Sequence, residues 1–256
     1  MEFEKWEGLG NDFLVTEALG WIEGLSDAAV AALCDRRRGV GADGLLGVSM
    51  APHRMLVRNA DGSRPEMCGN GLRCVVGYLA SRGAPSAGMQ VSTDAGWYAI
   101  PGVTQGEHST WSVAVAMGPA REVGAPVQVA GVGWGVPVDV GNPHFVFLDP
   151  PEDIERWGPP LEHHPAFPRR TNVEGVWALA DGGYRVRVWE RGCGFTEACG
   201  TGATAVAHVL CDRHPSLMGQ ALRLRLPGGE LSLTLDARGH ATMEGPARRV
   251  FRGVLD

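Results

Sequence analysis

Apolar and polar residues alternate in short runs along most of the chain, and this two-residue period predicts many short β-strands. One surface helix is predicted over residues 27–37, with Ser26 as its N-cap. The strand candidates span residues 2–6, 54–59, 89–93, 97–100, 112–116, 127–129, 144–148, 185–190, 221–226, 230–235 and 241–244.

Two further segments follow the helical spacing i, i+3, i+4, i+7, and each begins after a loop of the pattern Cys-Gly-x-Gly. The loops read Glu-Met-Cys-Gly-Asn-Gly at 66–71 and Glu-Ala-Cys-Gly-Thr-Gly at 197–202, so Cys68 and Cys199 stand 131 positions apart. The helices match at the same offset in their apolar positions, which are Leu72, Val75, Val76 and Leu79 in the first and Ala203, Val206, Ala207 and Leu210 in the second. Since a strand candidate also precedes each loop, we infer an internal repeat.

The repeat predicts an α+β fold with two pseudo-symmetric lobes. Each lobe is expected to be a curved, mostly antiparallel sheet or barrel wrapped around its central helix, with an active site in the cleft between the lobes. The predicted lobes are residues 1–120, which carry Cys68, and residues 121–256, which carry Cys199. The last residues of the chain could return to the first lobe.

Composition narrows the class of protein. The chain is 44% hydrophobic and 20% charged, which is typical of a globular protein, and no run approaches the roughly 18 apolar residues of a membrane span. A net charge of −6 with scattered arginines argues against a nucleic-acid partner. The acidic, alternating N-terminal segment lacks the features of a secretory signal, so a cytoplasmic address is expected.

The cysteines and the single lysine limit the chemistry. Six cysteines in a cytoplasmic chain are expected to be free thiols, and because no C-x2-C pair occurs we expect no metal. Lys5 is the only lysine. A pyridoxal-phosphate enzyme needs a lysine for its Schiff base, so we expect no cofactor.

A cysteine at the start of a helix has a distinct chemical environment. The first N–H groups of a helix lack internal partners, and they attract anions together with the helix dipole. This predicts that the pKa of Cys68 and Cys199 falls toward neutrality and that the same amides bind a carboxylate. Two such ends on opposite faces of one α-carbon would let one thiolate remove the α-proton while the other thiol delivers a proton, which inverts the centre.

Eight segments resemble one family when they are taken together in order. They include Gly-Leu-Gly-Asn-Asp-Phe at 8–13, Gly-Asn-Pro-His-Phe at 141–145 and Glu-Arg-Gly at 190–192. The others lie at 37–44, 59–63, 67–71, 171–174 and 198–203. Over essentially its whole length the chain resembles the diaminopimelate epimerases. The resemblance implies conversion of LL-diaminopimelate to meso-diaminopimelate in lysine biosynthesis, with no cofactor and a homodimeric assembly.

The resemblance also implies the roles of individual residues. Cys68 and Cys199 would be the acid–base pair, and His144 with Glu190 would tune the thiols. The amides of Gly69, Asn70, Gly200 and Thr201 would hold the reacting carboxylate. The distal zwitterion of diaminopimelate would be bound by Asn11, Asn59, Asn142, Asn172, Glu190 and Arg191. This set suits a zwitterion because it combines a guanidinium, a carboxylate and amides.

The sequence departs from the family pattern after Gly194, where Phe195 replaces the usual acidic residue and Glu197 is the nearest acid. Trp189 and Leu72 stand where a tyrosine and an alanine are more usual. These changes leave room for an altered rate or substrate range.

Other interpretations stay open at this point. Without the family, the asparagines could be turn residues, His144 a core histidine, and Glu190 with Arg191 a surface ion pair. The nearest enzyme alternative is a proline-racemase-like member of the two-cysteine group, which would leave the zwitterion residues without a partner. A non-catalytic thiol-redox protein is the alternative from another class, although no C-x-x-C motif is present.

Overall fold

The computed structural model describes residues 1–255. The chain forms two compact units, of which the first comprises residues 1–115 together with the segment from Gly245 to the C-terminal end, and the second residues 116–244. The predicted lobes, 1–120 and 121–256, remain a prediction, because compactness alone does not show that a segment folds independently.

The first unit contains three helices, seven complete strands and the larger part of two more. Their bounds are β1 (Glu2–Gly8), β2 (Asn11–Thr16), α1 (Leu19–Gly24), α2 (Asp27–Cys34), β3 (Gly44–Met50), β4 (His53–Asn59), α3 (Gly69–Ala80), β5 (Met89–Thr93), β6 (Gly96–Ile100), β7 (Gly102–Gln105), β8 (Thr110–Pro119) and, at the end of the chain, β18 (His240–Val254). β1 pairs antiparallel with β2 and with the last part of β18, β2 pairs parallel with β3, and β3 pairs antiparallel with β4.

Helix α3 is the central helix of this unit, and its residues from Asn70 to Leu79 are buried. Gly77 lets it approach the sheet, since a Cβ there would lie 2.8 Å from Cζ3 of the buried Trp6. The absence of a side chain at this helical position is therefore required by close packing.

The second unit repeats this organisation. Its elements are β9 (Arg121–Glu122), β10 (Val127–Val129), β11 (Gly133–Asp139), β12 (Pro143–Leu148), α4 (Ile154–Glu162), β13 (Asn172–Ala178), β14 (Tyr184–Glu190), β15 (Gly194–Thr196), α5 (Gly200–Arg213), a 3-10 turn (Pro215–Leu217), β16 (Leu222–Leu226) and β17 (Gly229–Leu235). β11 and β12 are antiparallel, β12 and β13 parallel, and β13 and β14 antiparallel. Helix α5 is buried from Ala203 to Ala207 and again from Val209 to Cys211.

The internal repeat extends to the structure of each unit. At the offset of 131, β1 corresponds to β11, β4 to β14, and the first residue of α3 to that of α5. The strand order and the parallel or antiparallel sense also correspond, because β4–β5 and β14–β16 are both parallel and β5–β6 and β16–β17 both antiparallel. The predicted α+β class, with one central helix in each unit, is confirmed.

The end of α2 corrects one local prediction, and α4 is among the elements that were not predicted. Ser26 caps α2 by accepting a bond from the Ala29 N–H, but the helix ends at Cys34 rather than at residue 37. The reason is that the Asp35 carboxylate accepts bonds from the N–H groups of Arg37 and Arg38 and turns the chain. Helix α4 was not predicted, because it contains two consecutive prolines, which usually stop a helix.

Candidate active site

Cys68 is the N-cap of α3. Its backbone is extended, and its Sγ accepts a bond from the Gly71 N–H at 3.4 Å. Asn11, at the start of β2, places Oδ1 4.0 Å from the same sulfur. The thiol therefore stands at the N-terminus of a buried helix, as the sequence predicted.

A chain of side-chain hydrogen bonds runs from Asn11 in both directions. Asn70 donates from Nδ2 to Asn11 Oδ1 at 3.4 Å, and Arg73 donates to Asn70 Oδ1 at 2.9 Å. On the other side, Asn11 donates from Nδ2 to Asp43 Oδ2 at 2.7 Å. Asn59 lies outside this chain and donates to the Ser63 hydroxyl at 2.9 Å.

Cys199 is the N-cap of α5 and reproduces the geometry of Cys68. Its Sγ accepts from the Gly202 N–H at 3.4 Å and lies 3.4 Å from the Thr201 hydroxyl oxygen. Asn142 donates to that hydroxyl at 3.4 Å. Asn142 corresponds to Asn11 at the offset of 131, so both cysteines have an equivalent asparagine nearby.

His144 and Glu174 form a fully buried pair, with 2.6 Å between His144 Nδ1 and Glu174 Oε1. The other ring nitrogen of His144 lies 3.0 Å from Asn142 Oδ1. The structure thus connects His144 to Cys199 through Asn142 and Thr201. A connection of this kind can orient the groups around the thiol, which supports the expected role of His144 and leaves its catalytic part a prediction.

Glu190 ends β14 and accepts a bond from the Thr196 hydroxyl at 2.6 Å. Burial raises the pKa of Glu190, and the hydrogen bond from Thr196 opposes that shift. Asn172 is buried and holds the adjacent turn, because its Oδ1 accepts the Arg191 N–H at 3.0 Å while its Nδ2 donates to Pro143 O at 3.0 Å. The Arg191 guanidinium is on the surface, where it donates to the Arg169 carbonyl at 3.1 Å.

The expected lowering of the thiol pKa is wrong for Cys199. Burial raises the pKa of this thiol well above its usual value, and the neighbouring Glu190 carboxylate raises it further. Desolvation therefore outweighs the helix amides in this environment. For Cys68 the lowered pKa stays a prediction.

The departures from the family pattern have a structural setting. Phe195 packs against the aromatic cluster of the second unit, and the Arg187 guanidinium lies 5.6 Å from the centre of its ring. Glu197, the nearest acid, is exposed. Trp189 donates from its indole N–H to Glu162 at 2.9 Å, and Glu162 also accepts the Gly192 N–H at 3.0 Å.

Several residues of this network were missed by the sequence analysis, namely Asp43, Arg73, Glu162 and Glu174. A signal existed for two of them. Asp43 and Glu174 correspond at the offset of 131, and a glycine follows each. Besides the two cysteines, the repeat therefore indicated a pair of equivalent carboxylates.

The remaining four cysteines differ in burial. Cys34 is buried, and burial raises the pKa of its thiol to about 11. Burial also raises the pKa of Cys74 and of Cys211, whereas Cys193 is exposed. Between residues 1 and 255, no group of three or more His, Cys, Asp or Glu side chains is arranged to hold a metal ion. In the same range, no helix is long and apolar enough to cross a membrane.

Comparison with known proteins identifies one family. Residues 3–123 and 136–250 match the family model described as diaminopimelate epimerase. The chain is 43% identical to the diaminopimelate epimerase of Desulforudis audaxviator, over 99% of this chain and 98% of the relative. It is 38% identical to that of Gloeothece citriformis, over 100% of this chain and 99% of the relative. The resemblance found in the sequence is confirmed.

Solved structures of low identity share the fold. A phenazine biosynthesis protein of the PhzF family from Bacillus anthracis matches with a TM-score of 0.73 at 14% identity, covering 100% of this chain and 99% of that chain. A hydroxyproline epimerase from Agrobacterium vitis, solved with trans-4-hydroxy-L-proline, matches with a TM-score of 0.69 at 17% identity, covering 99% and 90% of the two chains. At these identities the likeness concerns the fold alone.

Proposed function

Because this chain belongs to the diaminopimelate epimerase family, we propose that it converts LL-diaminopimelate to meso-diaminopimelate, an isomerase reaction of lysine biosynthesis. Cys68 and Cys199 are the proposed acid–base pair, each acting on one face of the same α-carbon. No cofactor takes part in the proposed reaction.

One observation carries the proposal more than any other. Cys68 and Cys199 are the N-caps of the two central helices, and each sulfur accepts the N–H of the third residue after it at 3.4 Å. A sulfur in this position lies beside the first amides of a helix, where the positive end of the helix dipole can bind a carboxylate, so the carbon next to that carboxylate comes within reach of the thiol.

The amides that would hold the reacting carboxylate belong to Gly69 and Asn70 at one helix and to Gly200 and Thr201 at the other. They would also stabilise the negative charge that develops on this carboxylate when the α-proton leaves, which is the largest contribution available without a metal or cofactor. Burial of Cys199 adds exclusion of water.

The raised pKa of Cys199 suggests the starting state of the pair. In the free enzyme Cys199 would be the protonated thiol. Cys68 would then remove the α-proton in the first turnover while Cys199 donates its own proton to the opposite face. The reverse reaction exchanges these roles.

The distal zwitterion explains the polar residues that a simple racemase does not need. We assign its carboxylate to the Arg191 guanidinium and the amide of Asn59, and its ammonium to Glu190. Asn11 and Asn142 lie beside the two cysteines and would contact the substrate near its reacting centre. Asn172 would act through the turn that it fixes, because its amide oxygen is bonded to the Arg191 N–H.

The test is incubation of the purified protein with LL-diaminopimelate in heavy water without added cofactor, with the α-proton followed by NMR and the stereoisomers separated by chiral chromatography. We expect loss of the α-proton signal together with meso product. Cys68→Ala and Cys199→Ala should each lower the rate by at least about a thousandfold, because a two-base reaction needs both groups. An active Cys199→Ala protein would refute the mechanism.

The proline-racemase-like alternative is tested in the same experiment. The chain shares its fold with a protein from Agrobacterium radiobacter described as a probable proline racemase, at a TM-score of 0.69 and 17% identity. A cyclic monoamino acid offers nothing to Glu190 and Arg191, so L-proline and trans-4-hydroxy-L-proline should not exchange their α-protons. Exchange of proline as fast as diaminopimelate would overturn the substrate assignment.

The homodimer and the cytoplasmic address remain predictions. Sedimentation velocity at several protein concentrations tests the first, and fractionation of cells that express the natural gene tests the second.

A further inference from the structure

The hydrogen-bond chain beside Cys68 has a fixed direction. An arginine guanidinium only donates hydrogen bonds, so Arg73 forces Asn70 to present its oxygen, at 2.9 Å. Asn70 must then turn its NH2 group to Asn11, whose oxygen accepts at 3.4 Å. Asn11 in turn offers its own NH2 group to Asp43, at 2.7 Å.

The far end of the chain is equally fixed. The Asp43 carboxylate pairs with Arg36 at 2.6 Å and also accepts the Asp12 N–H at 3.0 Å, so its oxygens act as acceptors. A group that only donates and a group that only accepts therefore close the two ends. Neither amide between them can rotate by 180° without setting donor against donor or acceptor against acceptor.

We propose that Arg73 and Asp43 are positioning residues that lock the amides of Asn70 and Asn11, so that Asn11 always presents its oxygen to Cys68. The consequence for catalysis rests on the proposed function. An acceptor 4.0 Å from Sγ can receive the S–H bond when Cys68 has taken the α-proton, and it suits the substrate ammonium. An NH2 group in the same place would donate to the thiolate and make it a weaker base.

The packing around Arg73 supports a dedicated role. The side chain is fully buried, and its Nε also donates to Pro246 O at 3.2 Å. Gly8 leaves space for it, because a Cβ there would lie 3.3 Å from Arg73 Nη2 and 3.4 Å from Asn70 O.

The second unit lacks this lock. At the offset of 131, Thr204 replaces Arg73, and its hydroxyl donates within α5 to Gly200 O at 2.9 Å. His144, whose two nitrogens can each donate or accept, stands between Asn142 and Glu174. The fixed polarity is therefore a property of the Cys68 side.

Exchanging a carboxylate and an amide tests the lock. Asn70→Asp still bonds to Arg73 but sets an acceptor against Asn11 Oδ1. Asp43→Asn can keep the original polarity, because an amide can still accept from Asn11. The double variant conserves net charge and restores the bonds between residues 70, 11 and 43 only with the Asn11 amide reversed, at the cost of the bond from the Asp12 N–H to residue 43.

The readouts are the urea midpoint and kcat/KM for epimerisation, taken on the plateau of each variant's pH profile so that charge added near Cys68 is separated from polarity. We expect Asn70→Asp to lower both. In the double variant the urea midpoint should rise above that of Asn70→Asp, while kcat/KM stays about tenfold or more below that of Asp43→Asn, which is the scale of one misdirected buried hydrogen bond.

Three outcomes would overturn the lock. One is recovery of activity along with stability in the double variant. Another is a loss of stability in the double variant that equals the sum of the losses in the two single variants. For the donor end, Arg73→Lys keeps a group that only donates, whereas Arg73→Gln can present either polarity. The third outcome that would overturn the lock is an equal kcat/KM in the Arg73→Lys and Arg73→Gln variants. Arg36→Gln controls for the loss of the exposed ion pair and should change kcat/KM by less than about threefold. An inactive wild-type protein would instead refute the proposed function.

Discussion

Helix α3 can be tested through the contact that fixes it against its sheet. Replacing Gly77 by Ala puts a Cβ 2.8 Å from Trp6 Cζ3 and 3.4 Å from Cη2. Trp6 cannot withdraw easily, since it is fully buried, bonds to Glu4 at 2.8 Å and lies 4.9 Å from the Trp111 ring. Overpacking of this kind costs about 1–3 kcal/mol, while alanine gains about 1 kcal/mol over glycine inside a helix.

We therefore expect Gly77→Ala to lower the free energy of unfolding by about 1 kcal/mol. Gly20 provides the matched control, because it lies on the exposed face of α1 with no atom within 4 Å of an added Cβ. Gly20→Ala should raise stability by up to about 1 kcal/mol. Urea titration followed by circular dichroism measures both, and equal shifts in the two variants would refute the packing argument.

Three further predictions concern single sites. Ser26→Ala removes the cap of α2 and should cost about 1 kcal/mol in urea unfolding, and an unchanged midpoint would show that the cap does not matter. Glu190→Gln removes a carboxylate that raises the pKa of Cys199. When the folded protein is alkylated at a series of pH values and the Cys199 modification is measured by mass spectrometry, the pH midpoint should fall by about one unit. A midpoint that rises or stays would contradict that assignment. Cys34 should react with iodoacetamide far more slowly than the exposed Cys193, as mass spectrometry of the peptides can measure, and equal rates would show that burial does not protect it.

The sequence was sufficient for features set by local pattern. The two cysteine N-caps follow from the Cys-Gly-x-Gly loops and from helical spacing that begins at the next residues, and the equivalence of Asn11 and Asn142 lay in the same offset. It was insufficient for contacts between segments that are far apart in the sequence. Arg73 bonds to Pro246, 173 positions away, and no local pattern indicates that contact.

The thiol pKa shows the same limit in energetic terms. A helix N-terminus favours a thiolate, and that part is visible in the sequence. The opposing contributions at Cys199 come from burial of its thiol and from the Glu190 carboxylate, and both depend on how β14 and α5 pack. The two effects have opposite signs, so the helix start alone gave the wrong direction.

The proposed reaction, in which two thiols act on opposite faces of one carbon, can be tested by the isotope content of the first product formed. LL-diaminopimelate with natural α-hydrogen is incubated with the enzyme in heavy water and stopped at a few per cent conversion. We expect deuterium in the meso product together with unlabelled remaining substrate, because the donated proton comes from the second, solvent-exchanged thiol. Meso product that retains the original hydrogen at the inverted α-carbon would show that one base removes and returns the same proton. That result would rule out the two-thiol reaction.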